Sequence, residues 1–91
     1  MMEIKSSHNK FYIGENEKQA MAEISWIISG SIIIANHTYV AEELRGQNIA
    51  KQLFNKLIEL AKQENKKIKP VCSYVVAQFD KNPELEDIKV K

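Results

Sequence analysis

The spacing of apolar residues changes along the chain, and each change marks an element. From Ala20 the period is two: Ala20, Ala22, Ile24, Trp26 and Ile28 face one way, while Glu23, Ser25 and Ser29 face the other. That alternation predicts a half-buried antiparallel strand. Gly30-Ser31 reads as a turn, and Ile32 to Val40 returns as the next strand. Its first half, Ile32, Ile33, Ile34 and Ala35, is apolar on both faces, which predicts a central strand covered on both sides by helices. Then the period lengthens. Ile49, Ala50, Leu53, Phe54, Leu57, Ile58, Leu60 and Ala61 recur at three and four, with Lys51, Gln52, Asn55, Lys56, Glu59 and Lys62 between them. This spacing predicts one long amphipathic helix, with Asn48 as candidate cap and an end near Asn65, where Lys62, Lys66 and Lys67 suit the negative pole.

Shorter signals fill the rest. Lys10 to Ile13 reads as a strand stopped by Gly14-Glu15-Asn16-Glu17, and the polar start from Met1 to Asn9 reads as loose, with a turn at Ser6 to Asn9. Lys67 to Val71 reads as a short strand, so the long helix becomes the link of a right-handed parallel crossover. Pro70 cannot donate a ladder hydrogen bond and belongs at an edge or strand end, where it helps two neighbours part. Cys72 to Phe79 fits a strand by its Tyr, Val, Val and Phe, and equally a short helix capped near Ser73 and broken at Asn82-Pro83. Pro83 to Lys91 reads as a small helical turn and a frayed tail.

The expected fold is therefore α/β (α+β): an antiparallel sheet of three strands extended by one parallel crossover strand, with the main helix packed on it. Ninety-one residues make one domain spanning 1–91, with its core at about 11–84.

Charge narrows the partners. Lys and Arg number 13 against 12 Asp and Glu, a net charge of +1, which argues against a general nucleic-acid coat and against a disordered chain. From Arg45 to Lys69, however, seven basic residues face only Glu59 and Glu64, a local excess that suits a small ligand bearing phosphates. Lysines 56, 62 and 66 read individually as solvation of the helix's outer face. The single cysteine excludes an internal disulfide and a multi-cysteine zinc site, so no metal is expected. No basic stretch leads into a long apolar run, and the expected location is cytoplasmic.

The candidate chemistry begins between the central strand and the long helix. The first turn of a helix carries backbone N–H groups without intrahelical partners, and its aligned peptide dipoles add partial positive charge. A strand, a polar turn and a helix start thus make an anion site, to which Arg45 adds a full charge and Gly46 a close backbone approach.

Arg45-Gly46-Gln47-Asn48-Ile49-Ala50 resembles the (Gln/Arg)-x-x-Gly-x-(Gly/Ala) pyrophosphate loop of the GNAT superfamily of CoA-dependent N-acetyltransferases. Asn48 stands where that pattern has glycine. Asn is the other residue that best tolerates a left-handed backbone, so the turn survives. The order His37-Thr38, Glu42 to Ala50, Pro70 to Tyr74 and Asn82-Pro83-Glu84 is similar to very small single-domain GNAT-like acetyltransferases that carry a cysteine after the second core strand. This resemblance selects the helix for the stretch after Cys72. It implies acetyl-CoA as cosubstrate, held by Arg45, Gly46, Gln47, Asn48, Ile49 and Ala50, with the pantetheine arm admitted between two splayed parallel strands and an amine as acceptor.

Each catalytic candidate also has a plain reading. Cys72 either fills space, as free cysteines often do, or sits at a strand's carboxyl end beside a helix start, as nucleophile or as acid toward the leaving thiolate. His37 is either a polar residue leaving the core or a base for the acceptor ammonium, since histidine titrates at about 6.5. Tyr74 either packs or donates its phenolic proton to the leaving thiolate. Glu42 and Glu43 either solvate the loop or attract a cationic acceptor; His8 reads as surface and Trp26 as core. A rival of another class is a non-catalytic CoA or acetyl-CoA sensor or interaction module. A chain this short leaves little wall for an acceptor pocket, which a homodimer would complete.

Overall fold

A computed structural model describes residues 3–90. Five strands form one sheet in sequential order: β1 (Lys5–Ser7), β2 (Lys10–Gly14), β3 (Ala20–Ser29), β4 (Ile32–Val40) and β5 (Lys67–Pro70). β1 to β4 pair antiparallel and β5 joins β4 in parallel, after the crossover helix α1 (Ile49–Gln63). A second helix, α2 (Ser73–Lys81), comes directly after β5. Cys72 occupies its cap position, so the helical reading of Cys72 to Phe79 holds.

The core lies on one side of the sheet. Phe11, Ala22, Ile24, Trp26, Ile33, Ala35 and Ile68 from the strands meet Leu53, Phe54, Leu57 and Ala61 of α1 and Val75 and Phe79 of α2 in one buried cluster. Phe54 and Phe79 join the two helices edge to face, ring centroids 5.5 Å apart at 87°. A buried Phe or Leu contributes about 1.5–3 kcal/mol through apolar area removed from water, so this layer carries most of the stability.

The sequence-based expectations fail at four places. β4 is not covered on both sides, because α1 and α2 pack on the same face; Ile32 and Ile34 are only half buried, and Ile27 beside them is exposed. A strand that reads as apolar on both faces has here one dry face and one open one. The chain start is not loose from Lys5 onward, since Lys5, Ser6 and Ser7 pair with Tyr12, Phe11 and Lys10; Met1 and Met2 lie outside the described residues. The tail is not frayed up to Val90. After a turn at Pro83–Leu85, the Ile68 N–H donates to the Ile88 carbonyl (2.7 Å) and the Val90 N–H to the Ile68 carbonyl (2.9 Å); Lys91 lies outside the described residues. Ile28 ends the inward row of β3 but is left 39% exposed.

A bulge in β4 reverses which of its side chains meet the helices. Ser25 pairs with His37 and Trp26 with Ala35, so Asn36 is an extra residue. Side chains alternate across a strand, and one inserted residue inverts the alternation beyond it. Hence Thr38 and Val40 lie on the core face with Ala35, while His37 and Tyr39 turn to the open face.

Candidate active site

β4 and β5 part at the bulge. Their last pair is Ala35 with Pro70. Beyond it the chain curls back, and the N–H groups of Val71 and Cys72 both donate to the Ala35 carbonyl at 3.0 Å before α2 begins. From His37 onward β4 is paired only with β3. Pro70, with no N–H to extend the ladder, ends β5 where the gap opens.

Cys72 stands at this gap. Its thiol donates to Thr38 Oγ1 across the opening, 3.4 Å away. Burial pushes the thiol up, but the Thr38 hydroxyl and the backbone N–H groups of Val75, Tyr74 and Thr38 together favour the thiolate more strongly, and the net shift is below the ordinary value. A hydroxyl both accepts and donates, so Thr38 reverses its role when the sulfur ionises.

After β4, a 3₁₀ turn at Glu42–Leu44 leads to Arg45, whose Nε donates to the Val40 carbonyl at 3.3 Å. The backbone then takes two left-handed steps, Gly46 at φ 84° and Asn48 at φ 61°. Asn48 occupies the cap position of α1, yet its side chain makes no capping bond; what it supplies is the left-handed backbone. The Gln52 N–H bonds the Asn48 carbonyl at 3.1 Å, so the N–H groups from Gly46 to Lys51 stay outside the helical ladder. Space beside Gly46 is open, with nothing within 4 Å of where a Cβ would sit.

These groups border a cleft of about 780 Å³ between the start of α1 and the face of α2. Of the residues singled out in the sequence, Arg45, Gly46, Asn48, Ile49, Ala50 and Tyr74 line it. Lys51, Gln78, Lys81 and Asn82 also line it; of these Lys51 had a signal as part of the basic excess and Asn82 as part of the Asn82-Pro83-Glu84 motif, while Gln78 and Lys81 had none. Lys51 Nζ donates to Gln78 Oε1 (3.1 Å), which ties the two walls together, and Asn82 Nδ2 donates to the Gln78 carbonyl (2.7 Å) at the end of α2. Burial raises the Tyr74 phenol above its ordinary value, so it keeps its proton.

Three candidates stand apart from this cleft. Gln47 turns away, its Nε2 donating to the Glu43 carbonyl at 3.5 Å. Cys72 faces Thr38 instead. His37 is on the opposite face of the sheet, its Nε2 3.2 Å from Glu23 Oε2. Glu42, Glu43 and His8 are exposed, and Trp26 is buried in the core. Among the described residues no cluster of three or more His, Cys, Asp and Glu converges, and no helix is long and apolar enough to cross a membrane.

Residues 10–88 match the family model described as GCN5-related N-acetyl-transferase, and the chain belongs to that family and is an acyltransferase. The NMR structure of a GCN5-like putative N-acetyltransferase from Staphylococcus aureus superimposes with TM-score 0.82 at 37% identity, covering 98% of this chain and 88% of that one. Two more distant structures share the fold. One is an acetyltransferase of the GNAT family from Staphylococcus aureus (TM-score 0.56, 18% identity, 85% of this chain and 56% of that one). The other is the ribosomal-protein-alanine N-acetyltransferase from Brucella melitensis (TM-score 0.52, 18% identity, 94% and 67%). Comparison with curated protein sequences gives no match.

Proposed function

We propose that the chain transfers an acetyl group from acetyl-CoA to a primary amine, with the cosubstrate in the cleft and the amine on the open face of the sheet. The observation that carries this reading is the run of N–H groups from Gly46 to Lys51, outside the helical ladder and bordering a cleft that Arg45, Lys51 and Lys81 make basic. N–H groups at a helix start, backed by its dipole, suit a pyrophosphate, and the residues present fit that guest.

The rest of the reading comes from where the gap lies. A thioester reaching the place where β4 and β5 part is exposed to the helix face on one side and the open face on the other. Unpaired strand edges there offer hydrogen bonds to pantetheine amides and to the polarised carbonyl, and alignment does much of the catalysis. His37, turned outward by the bulge, takes a proton from the incoming ammonium. Tyr74, still protonated, gives one to the departing thiolate.

A second route is favoured by one observation, the lowered pKa of Cys72. Its thiolate attacks the thioester carbonyl and expels CoA thiolate; the amine then attacks the acetyl-cysteine, and Cys72 leaves again as thiolate. Intact mass after incubation with acetyl-CoA alone separates the routes, because only the second adds an acetyl group to the chain.

The test of the reading as a whole is isothermal titration with acetyl-CoA at moderate salt, with ATP as the control polyanion, then CoA release in the presence of primary amines. Saturable one-site binding of acetyl-CoA, far weaker binding of ATP, and amine-dependent release are expected. Binding without release would leave a CoA sensor; no binding would remove the cosubstrate.

A further inference from the structure

On the face of the sheet that no helix covers, one carboxylate is held from two sides. Residues in register form rows across β2, β3 and β4: Lys10, Ser25 and His37 in one, Tyr12, Glu23 and Tyr39 in the next. Glu23 is thus diagonal to both Lys10 and His37, within reach of long side chains. Its Oε1 is 3.2 Å from Lys10 Nζ and its Oε2 3.2 Å from His37 Nε2. Its side chain is 17% exposed, against 53% for His37, so the carboxylate is the fixed part and the imidazole the accessible one.

We infer that Glu23 is the positioning residue for His37, fixing which ring nitrogen is free to take the acceptor's proton; this rests on the acetyl-transfer reading above. A carboxylate that accepts from Nε2–H holds the imidazole in the tautomer whose Nδ1 keeps its lone pair. Nδ1 then takes the proton of an acceptor ammonium, and the amine lone pair so released attacks the thioester carbonyl. The charge that develops on the ring is matched by Glu23, which keeps no proton itself. Lys10, on the other oxygen, prevents the carboxylate from swinging away. The remaining polar groups on this face near His37 are Ser25, directly opposite it on β3, Tyr12 and Tyr39, in the neighbouring row, and Lys69, opposite Ile34 on β5. Among the described residues Glu23 is the sole carboxylate bonded to His37. The bulge at Asn36 gives the pair its purpose, since it sets His37 on the face from which an amine approaches the gap.

The experiment uses the full chain with histidine labelled by nitrogen-15, His8 serving as internal reference, and propylamine as acceptor probe. At pH 8 the wild-type His37 ring is expected as the Nε2–H tautomer, and Glu23→Ala as a mixture of tautomers. The kcat/KM for propylamine should fall ~10-fold in Glu23→Ala at unchanged KM for acetyl-CoA, the scale seen when a carboxylate that orients an imidazole is removed. Glu23→Gln, whose amide oxygen still accepts from Nε2–H, should recover part of the loss. A wild-type ring found as Nδ1–H, or a Glu23→Ala chain as active as wild type, overturns the role of Glu23 alone. No CoA release by the wild-type chain at any propylamine concentration overturns the acetyl-transfer reading and this inference with it.

Discussion

Cys72 Sγ and Thr38 Oγ1 face each other at 3.4 Å across the opening left where β5 turns into α2. The contact joins β4 to the cap of α2 beyond the last β4–β5 pair, and it makes the Thr38 hydroxyl one of the groups on which the sulfur's ionisation depends.

That dependence is measurable as reactivity. A thiol whose pKa is lowered carries more thiolate at a given pH, so the rate of alkylation by iodoacetamide should reach half its plateau below the midpoint of an unperturbed cysteine in a short reference peptide. Thr38→Val keeps the shape and removes the hydroxyl, and its midpoint should move up. An unmoved midpoint would take Thr38 out of the account.

Asn48 answers to backbone geometry rather than to capping. An L-residue in the left-handed region costs roughly 1–2 kcal/mol, less for Asn and least for Gly. Asn48→Gly should therefore leave thermal stability unchanged or raised, while Asn48→Ala should lower it by about 1 kcal/mol. Calorimetry on both variants reads the difference.

Main-chain groups and side chains in the anion loop should separate by mutation. Gly46→Ala strains a residue at φ 84° and should weaken acetyl-CoA binding ~10-fold, the scale set by about 1.4 kcal/mol of lost interaction. Gln47→Ala, whose side chain points away from the cleft, should leave the Kd within about twofold, because N–H groups make the contact. Equal losses in the two titrations would contradict a backbone cradle.

Lys51 and Lys81 reach the cleft from opposite walls. Replacing either by alanine should raise the Kd for acetyl-CoA several-fold at low salt and by less at high salt, since a mobile ion atmosphere screens exposed charges beyond about 8 Å at physiological strength. Titration at two ionic strengths decides between charge and shape: a salt-independent loss would mean that the lysines act by packing.

Tyr74→Phe removes only a hydroxyl. If that hydroxyl protonates the leaving thiolate, kcat should fall by about 100-fold with little change in acetyl-CoA affinity. Because burial raises the phenol's pKa, the wild-type rate should hold its Tyr74-dependent part beyond the ordinary tyrosine value of about 10 and decline only above it. A decline in the tyrosine range that survives in Tyr74→Phe would belong to another group.

What the sequence disclosed and what it withheld divide along physical lines. α1 was legible because eight apolar residues repeat at helical spacing, and the loop before it because Arg45 and Ala50 keep the motif's offsets, with Asn48 in the glycine's place, in one short segment. Gln78 and Lys81 were not, because their place beside Arg45 depends on how α2 docks, which no local pattern encodes. The bare face over Ile32 and Ile34 was misread for a related reason: apolar composition shows what a side chain prefers, not how many helices are available to cover it. His37 is the sharpest case. Counting by twos from Ala35 puts it on the helix face, and one extra residue at Asn36 sends it to the other, with no mark in composition.

The clasp of Ile88 and Val90 on Ile68 bears on how the chain behaves in a crowd of its own copies. A sheet's outer strands recruit foreign strands through their free N–H and C=O groups, and proteins avoid this by covering, shortening or charging those rims. β5 is occupied by the clasp and carries Lys67 and Lys69, while β1 at the other rim is three residues long and begins with a lysine. Cutting the chain after Asp87 would strip the first rim, and the expected result is a protein that folds but precipitates into strand-paired aggregates as its concentration rises.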